Sequence, residues 1–180
     1  YDTLRMILCK KAILCEGDSD ELVIQKAYMQ LNDGRLPIED GIEVISVGVS
    51  FLRFLEIADF IQTKIAVVTD NDGDMEAIKK KYKNYMGENQ NDYIKICVDN
   101  IVDTGTLKIG ESGYNYNTLE PKLLKVNGME KLNRILGTDY MEEDDLRKYM
   151  KHNKTECGLK IFESSEDIEI PEYILEAIRW

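Results

Sequence analysis

The chain has 180 residues, of which 43% are hydrophobic and 32% are charged, so its composition is that of a globular domain and excludes a disordered or fibrous chain. The formal net charge of -11 argues against nucleic-acid binding through lysines and arginines alone, because DNA affinity comes mainly from neutralised phosphates. Carboxylates gathered around divalent ions would weaken that objection, since the ions would carry local positive charge.

The first predicted elements are a strand, a helix and a second strand. The apolar run Ala12–Cys15 ends at an acidic residue and a glycine, as a strand does when it breaks into a loop. Apolar residues at helical spacing predict a helix over Ser19–Leu31, with Asp18 or Ser19 as its N-cap. The β-branched run Ile42–Val47 predicts the second strand.

Further along the chain, an apolar stripe from Phe51 to Ile61 predicts another helix, and Lys64–Thr69 has the form of a buried parallel strand. Met75–Tyr85 is predicted to be a basic helix and Tyr93–Val98 a fourth strand. This alternation predicts an α/β fold with a mostly parallel four-stranded sheet flanked by helices on both faces. In such sheets the functional residues gather at the carboxyl ends of the strands.

After about Asp99 the pattern loosens, and the segments Asp103–Gly105 and Gly110–Asn117 predict turns or an irregular hairpin. Short helices are then predicted over Leu119–Val126, Glu130–Leu136, Glu142–Lys151 and Pro171–Ile178. We therefore divide the chain into an α/β core, residues 1–100, and a continuation, residues 101–180, with a helical C-terminal extension.

Cysteine and histidine content argues against a zinc framework, because the four cysteines form no Cys-x-x-Cys pair and there is one histidine, His152, to which no role is assigned. Reduced thiols and the lack of a secretory signal predict a cytoplasmic protein. No apolar run approaches the roughly 18 residues of a membrane span, so no membrane partner is expected. Because the chain starts at Tyr1, we expect a piece of a longer protein.

Acidic clusters follow two of the predicted strands. The first strand is followed by Glu16-Gly17-Asp18-Ser19-Asp20, and the third by Asp70-Asn71-Asp72-Gly73-Asp74. Glycines let the backbone pass close to an ion, and carboxylates are the ligands that hard divalent ions prefer. Asp-x-Asp-Gly alone is also a common turn, and an EF-hand is excluded because Lys81 stands where its bidentate glutamate belongs. The pair of clusters therefore indicates a divalent metal site.

Glu-Gly after the first strand and Asp-x-Asp after a later one resemble the TOPRIM signature of topoisomerases, bacterial primases, a ribosomal RNA maturase, recombination mediators and OLD-family nucleases. The OLD (overcoming lysogenization defect) branch is the most similar. The blocks that carry this resemblance are Cys15–Glu21, Val47-Gly48 followed by Thr69–Asp72, Asn117–Glu120, Asn153–Glu156 and Lys160–Glu163. The resemblance implies a TOPRIM, Rossmann-like fold and an ATP-dependent endonuclease of phage defence.

The resemblance also implies a set of site residues. Glu16, Asp70 and Asp72 would lie near one metal ion, Asp20 and Glu120 would help to bind a second, and catalysis would fall to Glu16, Asp70 and Lys154. Two Mg²⁺ or Mn²⁺ ions about 3.5–4 Å apart could hold the scissile phosphate and activate water. Supporting or uncertain roles are assigned to Gly17, Asp18, Asn71, Gly73 and Asp74, of which the last is equally well explained as a solvated turn acid.

The implied function is a metal-dependent endonuclease domain that hydrolyses DNA, joined to an N-terminal ABC-type ATPase domain and able to form homo-oligomers. This chain has no Gly-x-x-x-x-Gly-Lys-Ser/Thr phosphate loop, so ATPase activity would lie outside it. Two alternatives stay open: a TOPRIM domain of another nucleic-acid enzyme, such as an RNA maturase or a primase, and a noncatalytic interaction module.

Two further features could contact nucleic acid. The basic segment Lys79–Lys83 could touch a DNA backbone, although a solvated helix face explains it better. Tyr114 and Tyr116 could stack on bases or could equally pack within their turn-rich segment.

Overall fold

Four parallel strands form the central sheet of the computed structural model, which describes residues 1–180. The strands are β1 (Lys11–Cys15), β2 (Ile42–Ser46), β3 (Lys64–Val68) and β4 (Ile94–Cys97), and their order in the sheet is β2-β1-β3-β4. All three pairings are parallel. The predicted α/β fold with a parallel four-stranded sheet is confirmed, and each strand lies within one residue of its predicted bounds.

Helices and one small hairpin surround this sheet. The α-helices are α1 (Asp2–Leu8), α2 (Asp18–Leu31), α3 (Phe51–Ile61), α4 (Met75–Lys81), α5 (Leu119–Asn127), α6 (Met129–Leu136), α7 (Glu143–His152), α8 (Lys154–Glu163) and α9 (Glu172–Arg179). An antiparallel hairpin pairs β5 (Lys108–Ile109) with β6 (Ser112–Gly113), which is one of the two alternatives predicted here, although β5 lies before the predicted segment. None of the helices combines the length and apolar character that a bilayer span requires.

The structure corrects three helix predictions. Helices α1 and α8 were not predicted, and α4 ends at Lys81 rather than Tyr85, because Tyr82 leaves the helical conformation with its ring fully buried. The predicted N-cap of α2 was also wrong. Gly17 holds the cap position, and its N–H donates to Asp20 Oδ2, so the third helical residue caps the helix in place of Asp18 or Ser19.

The sheet is covered on both faces because successive strand residues point in opposite directions. Ile13 and Cys15 of β1 join the larger core, together with apolar residues of α2 and α5 to α9. Ala12 and Leu14 join the smaller core, together with residues of α1, α3 and α4. The larger core therefore contains side chains from both halves of the chain.

The connections place a crevice between the two central strands. From β1 the chain runs through α2 on one face to β2, then crosses through α3 on the other face to β3 on the opposite side of β1. The strand order thus reverses between β1 and β3, which is where open α/β sheets form their sites. Glu16 and Asp70, which follow these strands, lie at this crevice.

Two lysines, one buried and one half-buried, anchor the end of α9 at the amino edge of the sheet, opposite the edge that carries the crevice. Lys11, the first residue of β1, donates through Nζ to the carbonyl oxygens of Ala177 (2.7 Å) and Ile178 (3.1 Å). Lys64, the first residue of β3, donates to the Trp180 carbonyl oxygen at 2.7 Å. Cations at a helix C-terminus satisfy its free carbonyl groups, so α9 ends at the amino edge of the sheet and begins towards the carboxyl edge.

Candidate metal centre

Glu16 links the ends of the two central strands. Its Oε1 accepts a hydrogen bond from Thr69 Oγ1 at 2.7 Å and from the Asp70 N–H at 3.3 Å. Because both donors belong to the segment that leaves β3, the carboxylate is fixed beside Asp70. The crevice therefore holds two acidic residues that are 54 positions apart in the sequence.

Asp20 faces the same crevice from the first turn of α2. The Gly17 N–H donates to its Oδ2 at 3.1 Å, and a Cβ on Gly17 would lie only 3.3 Å from that oxygen. Burial, together with the negative charges of Glu120 and Glu16, raises the pKa of Asp20 to about 7. This carboxyl group thus meets other acids at close range.

Asp70 is subject to the same forces. Burial is the largest of the effects that raise its pKa well above the ordinary value, followed by the charges of Asp20 and Glu16. Like charges confined to one crevice resist ionising together. A bound cation is the simplest way for such a set to be fully ionised at neutral pH.

Glu120 and Lys154 complete the centre from the second half of the chain. Glu120, in the first turn of α5, is 4% exposed, and its Oε2 accepts hydrogen bonds from Lys154 Nζ at 3.0 Å and Thr118 Oγ1 at 3.2 Å. Its Oε1 is buried and has no hydrogen-bond partner. Burial works against the charged form of Lys154, yet Glu120 and the neighbouring aspartates raise its pKa above the ordinary value.

Asp72 lies at the rim of the centre. Its side chain is exposed, its φ is +49°, and its Oδ1 accepts a hydrogen bond from Asn115 Nδ2 at 2.8 Å. Of the four acidic residues whose charges raise the pKa of Asp70, Asp72 has the smallest effect. The structure therefore brings Glu16, Asp20, Asp70 and Glu120 together and leaves Asp72 at their edge.

The remaining acidic and amide residues of the two clusters have local structural contacts. Asn71 is buried and donates to the carbonyl oxygens of Asp99 (2.6 Å) and Ile101 (3.0 Å), while its own Oδ1 accepts from the Gly73 N–H. Asp74 caps α4 by accepting a hydrogen bond from the Ala77 N–H at 2.9 Å. Asp18 is exposed on the first turn of α2.

The aromatic pair packs within its own segment, and the basic helix is exposed. Tyr114 is buried and meets the ring of Tyr116 edge-on at 5.0 Å, and Tyr116 lies so close to Gly105 that a Cβ there would be 2.1 Å from its Cζ. The packing role of this pair is therefore the one observed. On α4, Lys79 pairs with Glu76, also on the exposed face, as expected for a solvated helix.

Two residues near the centre were missed by sequence analysis. Thr69 holds Glu16 but was given no role, although it belongs to a predicted strand and to a block that carries the family resemblance. Tyr173, in the first turn of α9, is buried, and the pKa of its hydroxyl is raised first by burial and then by the charges of Asp70 and Asp20. Neither the spacing nor the type of these residues signals a site, because the acidic residues that act on them are distant in sequence.

The donor set fits a hard divalent ion, although it is not closed into a cage. No group of three or more histidine, cysteine or acidic side chains is arranged closely enough to hold an ion as it stands. The carboxylates that act on one another in the crevice are Glu16, Asp20, Asp70 and Glu120. Carboxylate oxygens are nevertheless the ligands that Mg²⁺ and Mn²⁺ take. The Oε1 atom of Glu120 is buried and has no hydrogen-bond partner, which suits it to bind such an ion.

A family model, described as the TOPRIM domain of overcoming lysogenization defect protein-like proteins, matches residues 7–72. The matched segment spans β1 to the residues that follow β3, and so includes Glu16, Asp20, Asp70 and Asp72. No curated protein matches the sequence.

Solved structures of the C-terminal region of the OLD protein of Xanthomonas campestris pv. campestris share the fold. The structure phased with platinum has a TM-score of 0.63 and 16% sequence identity, and covers 97% of this chain and 93% of that chain. The structures phased with iodine and mercury have TM-scores of 0.59 and 0.58, each at 16% identity, covering 95% of this chain and 93% of that one. The likeness therefore extends over nearly the whole chain, including α5 to α9.

Proposed function

On the premise that residues 7–72 of this chain form a TOPRIM domain of the OLD-like family, we propose that the protein is a metal-dependent nuclease domain that hydrolyses DNA phosphodiester bonds. One observation carries the proposal. Four carboxylates face one crevice at the carboxyl edge of the sheet, those of Glu16, Asp20, Asp70 and Glu120. Lys154 forms an ion pair with Glu120, the most buried of the four. TOPRIM domains act on nucleic acids, and this donor set is suited to divalent ions.

The carboxylates divide between two ion positions in this proposal. Glu16 and Asp70, with Asp72 at the rim, would hold one ion, and Asp20 with Glu120 would hold the other. Bound Mg²⁺ or Mn²⁺ would supply Lewis-acid stabilisation of the phosphate and lower the pKa of an attacking water. Support for the pairs comes from the hydrogen bond of the Asp70 N–H to Glu16 Oε1, and from Glu120 being the leading charge that raises the pKa of Asp20.

The side chains around the carboxylates orient them. Thr69 and the Asp70 N–H hold Glu16, and the Gly17 N–H holds Asp20, so these two ligands are fixed by donors before any ion arrives. Lys154 remains protonated and has a side chain that is 47% exposed, so its ammonium group can meet a phosphate at the mouth of the crevice. There it would stabilise the negative charge that builds up on the phosphate during attack.

We also propose that the chain works within a larger protein, beside an N-terminal ABC-type ATPase domain and as part of a homo-oligomer. The support is that the solved structures with this fold are described as the C-terminal region of an OLD protein. The complete reading frame tests this directly. A phosphate-loop motif upstream of this chain is expected, and its absence would contradict the proposal.

Plasmid cleavage with Mg²⁺ or Mn²⁺ tests the nuclease proposal. Wild-type protein should nick or cut the plasmid, while Asp70→Asn and Glu16→Gln should each lower the rate by roughly 100-fold or more, because each removes a charged ligand with little change in shape. Asp92→Asn is the matched control, since Asp92 is exposed and lies before β4 at the opposite edge of the sheet, and it should cut as wild type does. Cleavage of structured RNA but not of plasmid would favour the maturase alternative.

A further inference from the structure

Lys151 lacks the acidic partner that the basic residues around it have. Every other lysine and arginine of α5, α7 and α8 forms an ion pair with a carboxylate, and these residues are Lys122, Lys125, Arg147, Lys148, Lys154 and Lys160. Lys151 lies in the last turn of α7, and its side chain is exposed and forms no ion pair. Its ammonium group is therefore free to bind an anion from solution.

Contacts of the turn-rich segment before α5 place Lys151 beside the acidic crevice. Its Nζ lies 5.9 Å from the centroid of the Tyr114 ring. The next residue, Asn115, donates through Nδ2 to Asp72 Oδ1 at 2.8 Å, which fixes this segment to the rim of the metal centre. Because neighbouring Cα atoms are only about 3.8 Å apart, the ammonium group of Lys151 lies on the side of the crevice that carries Asp72.

The neighbours of Lys151 along the chain belong to the same site. Met150, the residue before it, is buried and lines one small cavity together with Glu120 and Lys154. Lys154 Nζ lies 3.0 Å from Glu120 Oε2, so its charge is partly neutralised by that carboxylate. An aromatic ring, in contrast, attracts a cation without neutralising it, so Lys151 keeps its full charge. The mouth of the crevice thus has one paired cation and one unpaired cation.

We propose that Lys151 binds the DNA backbone, by contacting a phosphate next to the one that is cleaved. The inference rests on the nuclease function proposed above. Affinity for DNA comes mainly from cations that neutralise phosphates, and the net charge of -11 makes such a cation necessary beside the crevice. A lysine is a flexible point charge, so this contact would hold the strand in place without reading its sequence.

The salt dependence of DNA affinity tests this contact. Fluorescence anisotropy follows the binding of a labelled duplex in Ca²⁺, over roughly 50 to 200 mM KCl. Lys151→Gln should bind roughly five- to tenfold more weakly at about 0.1 M salt, and its plot of log affinity against log salt should be shallower by about 1. Lys148→Gln is the matched control, because it removes the same charge from the same helix, where Lys148 pairs with Asp145 at 2.8 Å. It should keep the wild-type slope.

Each other outcome refutes the contact, and plasmid cleavage by wild type shows whether the nuclease proposal stands without it. Equal changes of slope in the two variants would mean that total charge, rather than one contact, determines the affinity. A lower Tm of Lys151→Gln with an unchanged slope would mean that Lys151 only stabilises the end of α7. If wild type neither binds the duplex nor cuts plasmid, the nuclease function and the role of Lys151 are refuted together.

Discussion

Among single residues, Asp20 is the one whose raised pKa in the crevice makes the stability of the fold depend on pH. Its pKa of about 7 compares with an ordinary value of about 4, and burial and the charge of Glu120 are the main causes. The folded chain therefore holds this proton more tightly than the unfolded chain does. The resulting stabilisation is complete below about pH 4 and is lost as the pH rises to about 7.

In EDTA, the protein should be less stable at pH 8 than at pH 5.5, which is the opposite of the usual behaviour of a salt-bridged aspartate. After solvent screening the effect should be about 1–2 kcal/mol, or a fall in Tm of roughly 3–6 °C. Thermal unfolding followed by circular dichroism at the two pH values measures it. Added Mn²⁺ should reverse the trend, because an ion binds the ionised carboxylates.

Asp20→Asn is the control for this pH dependence, because an amide cannot ionise and keeps the same shape. It should flatten the difference in Tm between pH 5.5 and pH 8 in EDTA. A wild-type protein that is equally stable at both pH values would show that Asp20 ionises freely in the fold.

Only some of these residues could be identified from the sequence alone. Glu16 and Asp70 could be identified because each directly follows an apolar run, and parallel strands bring their carboxyl ends together. Glu120 and Lys154 were suggested only by family resemblance, and their contact at 3.0 Å was not foreseen. The role of Thr69 could not be found, because its hydrogen bond to Glu16 joins residues 53 positions apart in the sequence.

At the level of helices and strands, prediction worked for the strands and failed at α8. The strands are short segments rich in apolar and β-branched residues, although Glu43 interrupts β2 and Lys95 interrupts β4. In α8 the buried residues are Cys157, Gly158 and Ile161, a stripe too sparse and too small to indicate a helix. That same sparseness allows close packing, since a Cβ on Gly158 would lie 3.0 Å from the Ser19 Cα atom of α2.

Gly158→Val should therefore force α8 away from α2. We expect a loss of about 1–3 kcal/mol in the free energy of unfolding, as is typical of overpacking, measured by urea denaturation. Because α8 carries Lys154 and α2 carries Asp20, DNA cleavage should fall as well.

The matched control is Leu159→Val, which places the same β-branched residue at the neighbouring, 46% exposed position of α8. It should change stability by less than about 0.5 kcal/mol and leave cleavage intact. Equal effects from the two variants would mean that helix propensity, rather than the contact with α2, determines the result.

For the molecule as a whole, the dominant property is the net charge of -11, which repels DNA. Divalent ions bound in the crevice would reverse the sign of charge locally. The fold itself could be predicted at this scale from the alternation of strands and helices. The larger core, which both halves of the chain share, could not be predicted. It depends on α8 and α9 packing against elements that are distant in the sequence.

DNA binding should therefore depend on divalent ions. Fluorescence anisotropy with a labelled duplex should show at least tenfold tighter binding in Ca²⁺, an ion that also takes oxygen ligands, than in EDTA. Monovalent salt at the same ionic strength controls for simple screening. Equal affinity in EDTA would mean that the DNA is held by a surface independent of the crevice.

The anchoring of α9 has a spectroscopic consequence. Trp180 is the only tryptophan in the chain, and its ring lies 4.5 Å from Lys64 Nζ and 5.7 Å from Lys11 Nζ. Its fluorescence emission therefore reports on one contact, that between the end of α9 and the first residues of β1 and β3. During unfolding, this emission could shift to longer wavelengths before the far-ultraviolet circular dichroism signal is lost. Such a result would show that α9 separates from an otherwise folded domain, and the measurement needs no attached label.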